Sequence, residues 1–401
     1  MLREGRGDLP REVWVLAVVA FVVALGFGVV APAIPLFARS FGVGTTAVGL
    51  AVSAFSAARF ASAFGGGALV ERLGERLVLS TGLAVVAVST GLAGLATSFP
   101  VFLTLRALGG VGSAMFTVAA LSLLLRVAPP THRGRAAATY QGGFILGGIA
   151  GPAAGGLLAE LSPRLPFFLY AGFLLVAGLV GLSQLRVPSG PVDPDLVAAP
   201  DVPAAQPLAV RAALAQPAYV AALAANFGVG WMLFGVRNSL VPLYVTEELG
   251  RTVAWAGAGL LVGSLAQALG LLRSGRLVDG WGRRPSLLLG AGLATASVAV
   301  LAGPASTPAF LVSMTVFGLS ASLLASTPAA LVADVSPARG GRVVAVFQMA
   351  ADLGGIIGPL AAGALTDAAS FQVAFAVTTG VLALGLVAGL RIPRTRPGGQ
   401  G

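Results

Sequence analysis

"RAAATYQGGFILGGIAGPAAGGLL" (residues 135–158) and "RVVAVFQMAADLGGIIGPLAAGAL" (residues 342–365) are two apolar runs of one chain, set 207 positions apart. Gln141 falls on Gln348, Gly147 and Gly148 on Gly354 and Gly355, and Gly151-Pro152 on Gly358-Pro359. Each run is long enough to cross a hydrocarbon core about 30 Å thick, which takes roughly 20 apolar residues. The chain therefore reads as membrane-spanning and internally duplicated.

The bulk composition agrees. Hydrophobic residues make up 56% of the 401 positions and charged ones only 10%, against roughly 25% charged in soluble domains. Mean hydropathy is +0.91, the value of a polytopic membrane protein. The absence of cysteine excludes disulfides and thiolate metal sites. All 25 basic residues are arginine, so a Walker lysine and a Schiff-base lysine are both excluded. The net charge of +10 is spread through short loops, a pattern of membrane topology rather than nucleic-acid binding.

Apolar segments recur near 13–37, 46–70, 77–97, 101–125, 136–159 and 166–185. Six more lie near 217–243, 253–274, 285–303, 308–332, 343–366 and 371–390. This predicts an all-α membrane protein with twelve transmembrane helices in two pseudo-symmetric halves, residues 1–186 and 216–401. Between them, 187–215 is rich in proline with a few aspartates and reads as a flexible cytoplasmic linker. Nineteen arginines fall at the ends and in the even-to-odd loops, and only Arg39, Arg164 and Arg251 on the opposite side. That bias places both termini in the cytoplasm of a cell with the chain in its inner or plasma membrane. A cleaved signal peptide fits the first segment poorly, since Pro32 and Pro35 interrupt it.

Charge-dense knots punctuate the two halves. "GALVERLGER" (67–76) carries Gly67, Glu71, Arg72, Gly74 and Arg76. "GRLVDGWGRR" (275–284) carries Gly275, Asp279, Gly282, Arg283 and Arg284, shifted by 208. Glycine suits a tight turn and a close helix approach, and a carboxylate holds arginines and helix ends. These knots resemble the loop signature G-x-x-x-D-[RK]-x-G-R-[RK] of the major facilitator superfamily, and the resemblance covers essentially the whole chain. In that family the knot is a latch that stabilises the outward-facing state. The first-half copy departs at Glu71 for Asp and at Glu75 for Arg, so a weaker first-half latch is expected.

Further elements narrow the resemblance to twelve-helix drug/proton antiporters. "LGFGVVAPAIP" in helix one is similar to their L-G-x5-P-x-x-P element. Gly147, Gly151, Pro152, Gly155 and Gly156 in helix five match their antiporter motif. There small residues permit close helix contact and Pro-Gly kinks the helix. In helix four, Arg106, Gly110 and Gly112 resemble an R-x-x-x-G-x-G element whose arginine is implicated in proton coupling.

An ionised side chain at the bilayer centre costs on the order of 3 kcal/mol and so needs a partner or a purpose. Arg59, Arg106, Arg237 and Asp352 lie at that depth. The family fold packs helices two and eleven together, so Arg59 and Asp352 are expected to pair, either as a static bridge or as a protonation switch. Gln141, Asn226, Trp231, Arg237, Asn238, Gln267 and Gln348 are expected to line the substrate cavity, although Gln141 and Gln348 serve equally well as helix–helix bonds. Asp334 is expected to pair with Arg339 or Arg342. Helix one has no charge after Glu12, and membrane-depth arginines outnumber aspartates, which favours a neutral or anionic substrate over a cation.

Together these features imply a monomeric secondary transporter in the lipid bilayer. It takes a small-molecule substrate and protons, with no cofactor, metal or nucleic acid. Proton-coupled efflux of a lipophilic compound by alternating access is the leading expectation. A proton-coupled sugar or organic-anion importer on the same fold is the alternative. An intramembrane enzyme is disfavoured, because the sequence has no H-E-x-x-H motif, no membrane histidine and no aspartate pair.

Overall fold

The computed structural model describes residues 9–129, 132–185, 210–335 and 341–393. Among them, twelve helices are long and apolar enough to cross a membrane. Spans one to six are Arg11–Arg39, Thr45–Ala63, Glu75–Gly94, Phe99–Val127, Arg135–Leu161 and Leu165–Gln184. Spans seven to twelve are Pro217–Glu248, Val253–Val278, Arg283–Leu301, Thr307–Val335, Val343–Ala368 and Phe371–Leu390. The chain is an integral membrane protein. Most of the expected linker lies outside the described residues, and its last part forms the short helix Val210–Leu214.

Prolines and glycines set the interruptions. Span one is two helices, Arg11–Val30 and Ala33–Arg39, broken at Ala31-Pro32, because proline lacks the donor that would continue the ladder. Span seven contains two wide, π-helical stretches, Gly230–Val236 and Tyr244–Glu248.

The chain divides into two compact units. The first comprises Met1–Val43 and Ala54–Pro200, the second Gly44–Ser53 and Asp201–Gly401. Within the first unit, span one packs on spans five and six, and span three on spans four and six. Within the second, span seven packs on spans eleven and twelve, and span nine on spans ten and twelve. The repeat seen in the sequence is thus also a repeat of packing partners.

Lipid tails are as apolar as leucine, so close backbone approach and internal hydrogen bonds do the work that water-driven burial does in soluble proteins. At Gly147 a Cβ would collide with the carbonyl oxygen of Phe21, and at Gly151 with that of Leu25. Their repeat partners Gly354 and Gly358 likewise leave no room for a Cβ against the span-seven backbone, at 2.2 Å from the Phe227 oxygen and 2.8 Å from the Trp231 oxygen. Phe37, Phe102 and Phe167 add an aromatic cluster to the first unit, with ring centroids 5.2–5.9 Å apart.

The first turns of span two belong to the second unit. There the Asp367 carboxylate accepts from the Thr45 amide (2.7 Å), the Thr46 amide (2.8 Å) and the Thr46 hydroxyl (2.7 Å). Further along the same contact, the Ser53 hydroxyl donates to the Ile356 carbonyl at 2.6 Å. Asp367 so satisfies amides that the start of a helix otherwise leaves without partners.

Candidate functional site

The two charge-dense knots are helical up to one residue. The helix Thr45–Leu73 carries Gly67, Glu71 and Arg72, and the helix Val253–Trp281 carries Gly275 and Asp279. Only Gly74 (φ 80°) and Gly282 (φ 91°) break the path, in a region that disfavours a Cβ, and each starts the next helix at once. Glu71, Arg72, Arg76 and Arg276 are exposed; the Asp279 side chain lies outside the described residues.

Glu75 has moved from an anomaly to a structural centre. It is fully buried, and Arg126 at the end of span four donates to both of its carboxylate oxygens at 3.1 Å. In the second unit Arg283 pairs with Asp334 at 3.3 Å, with side-chain exposures of 33% and 54%. Glu75 and Arg283 are equivalent at the 208-residue offset, as are Arg126 and Asp334. The pair therefore occurs at both positions with its charges exchanged. The described partner of Asp334 is Arg283, which the helix turn at Gly282 delivers to the end of span ten; the expected pairing with Arg339 or Arg342 lies outside the described residues.

The R-x-x-x-G-x-G element of span four is a two-sided contact. Gly110 admits the span-two backbone at Phe55, and a Cβ at Gly112 would stand 2.6 Å from the carbonyl oxygen of Gly82 in span three. This brings the buried Arg106 guanidinium over the Phe55 ring, 4.6 Å from its centroid, a cation–π arrangement that lowers the cost of burying the charge. Arg59 is half-buried in the first unit and Asp352 half-buried in the second. Each makes polar or electrostatic contacts of its own.

The expected cavity residues separate into two groups. Asn226 and Trp231 are engaged inside the second unit: the Asn226 side chain donates to the Phe347 carbonyl at 2.7 Å, and the Trp231 indole to the Thr378 hydroxyl at 3.1 Å. Both bonds tie span seven to its neighbours. By contrast, Gln141 and Gln348 are exposed and Gln267 is half-buried, with no hydrogen-bond partner among the described residues. Asn238 reaches only its own helix, at the carbonyls of Leu233 and Phe234. Arg237 follows the π-helical stretch of span seven and donates from one terminal nitrogen to the Leu260 carbonyl and the Ser264 hydroxyl, both at 3.0 Å.

Sequence reasoning passed over Arg126, Asp367 and Ser264. Glu75 was legible as a departure, but its partner Arg126 lies 51 positions away and looks like one more positive-inside arginine. Asp367 carries no motif at all. Ser264 is an ordinary small residue of a membrane helix until Arg237 is placed against it.

Twelve helices long and apolar enough to cross a membrane and two units with matching packing partners define a polytopic membrane protein. The chain belongs to the Major Facilitator Superfamily, whose sequence model matches residues 16–262 and 231–401. It is similar to the quinolone resistance protein NorA of Staphylococcus aureus, 28% identical over 184 residues, which are 45% of this chain and 46% of that one. It is also similar to multidrug resistance protein 1 of Bacillus subtilis, 30% identical over 168 residues, 42% of this chain and 43% of that one. The chain thus matches a little under half the length of these relatives. Among solved structures, a bacterial homolog of the human lysosomal transporter Spinster superposes with a TM-score of 0.75 at 18% identity, covering 96% of this chain and 98% of that one. The nucleoside transporter NupG superposes with a TM-score of 0.72 at 14% identity, covering 96% and 99%. At such identities the two superpositions speak for the fold alone.

Proposed function

We propose that this carrier is a proton-coupled exporter of small lipophilic compounds, neutral or anionic, working by alternating access as a monomer with both termini in the cytoplasm. The observation that carries the reading is the seam between spans one and five. Gly147, Gly151 and Gly155 each meet a span-one carbonyl, at Phe21, Leu25 and Val29, so the antiporter motif is a continuous backbone-to-backbone contact rather than a run of chance glycines. The names of the relatives, a quinolone resistance protein and a multidrug resistance protein, point the same way. Residues 1–186 and 216–401 are the two working halves in this reading.

Proton coupling is assigned to Arg59, Arg106 and Asp352, with Asp352 as the group that takes up and releases the proton. Protonation removes its charge and so changes the balance between inward- and outward-open states. Everted membrane vesicles with an imposed pH gradient test the reading. Lipophilic neutrals and anions should accumulate inside them, and Asp352→Asn should abolish the dependence on the gradient while leaving downhill flux. Accumulation that ignores the gradient sinks proton coupling, and loss of preloaded compound driven by the gradient indicates an importer.

A further inference from the structure

Among the described residues, the hydrogen bonds of the Arg237 guanidinium lie wholly within the second unit. Its Nη2 is held at 3.0 Å by the Leu260 carbonyl and at 3.0 Å by the Ser264 hydroxyl, one helical turn apart on span eight. Gly263 lies between them; a Cβ there would stand 3.8 Å from the same nitrogen, so the guanidinium rests along a bare strip of helix. A guanidinium has five N–H donors. The bonds from Nη2 leave the Nε and Nη1 donors without an acceptor among the described residues. Those atoms are not sealed away: the Nε atoms of Arg133 and Arg284 are buried without a partner, but no atom of Arg237 is. No carboxylate pairs with Arg237 among the described residues.

Such a half-buried side chain is fixed on one edge and keeps unused donors on the other. Its charge is permanent, since arginine is not deprotonated in proteins. A cation with unused donors in a low-dielectric setting favours an anion strongly, and N–H donors to a carboxylate form bonds about twice as strong as neutral ones. We propose that Arg237 is the anchor for the carboxylate of a lipophilic monoanion, so that the substrates of this carrier are aromatic or aliphatic carboxylates. The inference rests on the exporter reading above for the direction of transport, but not for the binding itself. Because Arg237 keeps its charge on both sides of a pH gradient, it cannot carry the coupled proton. Anion binding and proton binding are therefore housed on different residues.

The test uses three probes with one skeleton: naphthoate, naphthamide and naphthylmethylammonium. Binding to the purified full-length protein in detergent is measured by equilibrium dialysis. Naphthoate should bind at least about tenfold more tightly than naphthamide, as a charge-assisted hydrogen bond predicts. Arg237→Gln should bring naphthoate down to the level of naphthamide and leave naphthamide unchanged, with Arg237→Lys in between. Ser264→Ala, which frees the guanidinium to turn, should weaken naphthoate alone, and it serves in place of Arg237→Gln if that variant does not fold. Equal binding of acid and amide, no measurable binding of naphthoate, or an equal loss of both in the variants would each overturn the proposal. Binding of naphthoate through Arg237 without gradient-driven export would refute the exporter reading and leave the anchor standing. Export of naphthylmethylammonium with no binding of naphthoate would do the opposite.

Discussion

Glu75 and Arg126 of the first unit occupy the positions that Arg283 and Asp334 hold in the second, so one ion pair occurs twice with its charges exchanged. Their surroundings differ as much as their polarity. Glu75 is sealed and Arg126 is 11% exposed, whereas Arg283 and Asp334 are open to solvent. The difference teaches that the internal repeat preserves an interaction rather than residues. It also shows that the same interaction acts as a buried strut in one unit and as a screened surface contact in the other.

The comparison breaks most visibly if one partner of the buried pair is removed. Arg126→Ala leaves the Glu75 carboxylate buried without a counter-charge and should cost about 3–5 kcal/mol, read as a large drop in the thermal unfolding temperature of the purified protein. Glu75→Arg alone should be as harmful, because it sets two guanidinium groups together. The double variant Glu75→Arg with Arg126→Glu adopts the polarity of the second unit and should regain most of that loss. Failure of this rescue would mean that burial, not pairing, fixes the polarity.

A smaller effect tests the repeated glycine seam. Gly147→Ala should cost about 1–3 kcal/mol by forcing spans one and five apart, and Gly354→Ala should do the same to spans seven and eleven. Gly148 faces open space, so Gly148→Ala should be neutral or stabilise by up to about 1 kcal/mol through helix propensity. Equal unfolding temperatures for the Gly147 and Gly148 variants would dismiss the seam. The smallest effect belongs to Asp334→Ala, under about 1 kcal/mol for an exposed pair, and it should vanish in high salt as screening removes what attraction remains. A loss comparable to that of Arg126→Ala would erase the distinction between strut and surface contact.

Much of this is legible in the sequence. Apolar segment length gave the twelve spans, since a membrane helix must satisfy its own backbone over a fixed thickness. The main misreading was of the charge-dense knots as loops. Their glycines and arginines look like turn chemistry, yet the helices run on through Leu73 and Trp281, and one glycine makes each turn. Asn226 and Trp231 read as cavity residues because a polar group in a membrane helix signals function as readily as helix contact. The helix contact that each also makes was hidden, because the Phe347 carbonyl and the Thr378 hydroxyl lie 121 and 147 positions away along the chain.

By itself the sequence determined that this chain crosses a membrane twelve times, repeats itself and resembles the carriers to which it belongs, because hydropathy, arginine placement and motif spacing are local properties summed along the chain. The tertiary structure alone decided who answers whom: Arg126 for Glu75, Asp367 for the start of span two, Leu260 and Ser264 for Arg237. A buried polar group is satisfied by whatever the packing brings within about 3 Å, and that neighbour lies 23 to 322 positions away along the chain.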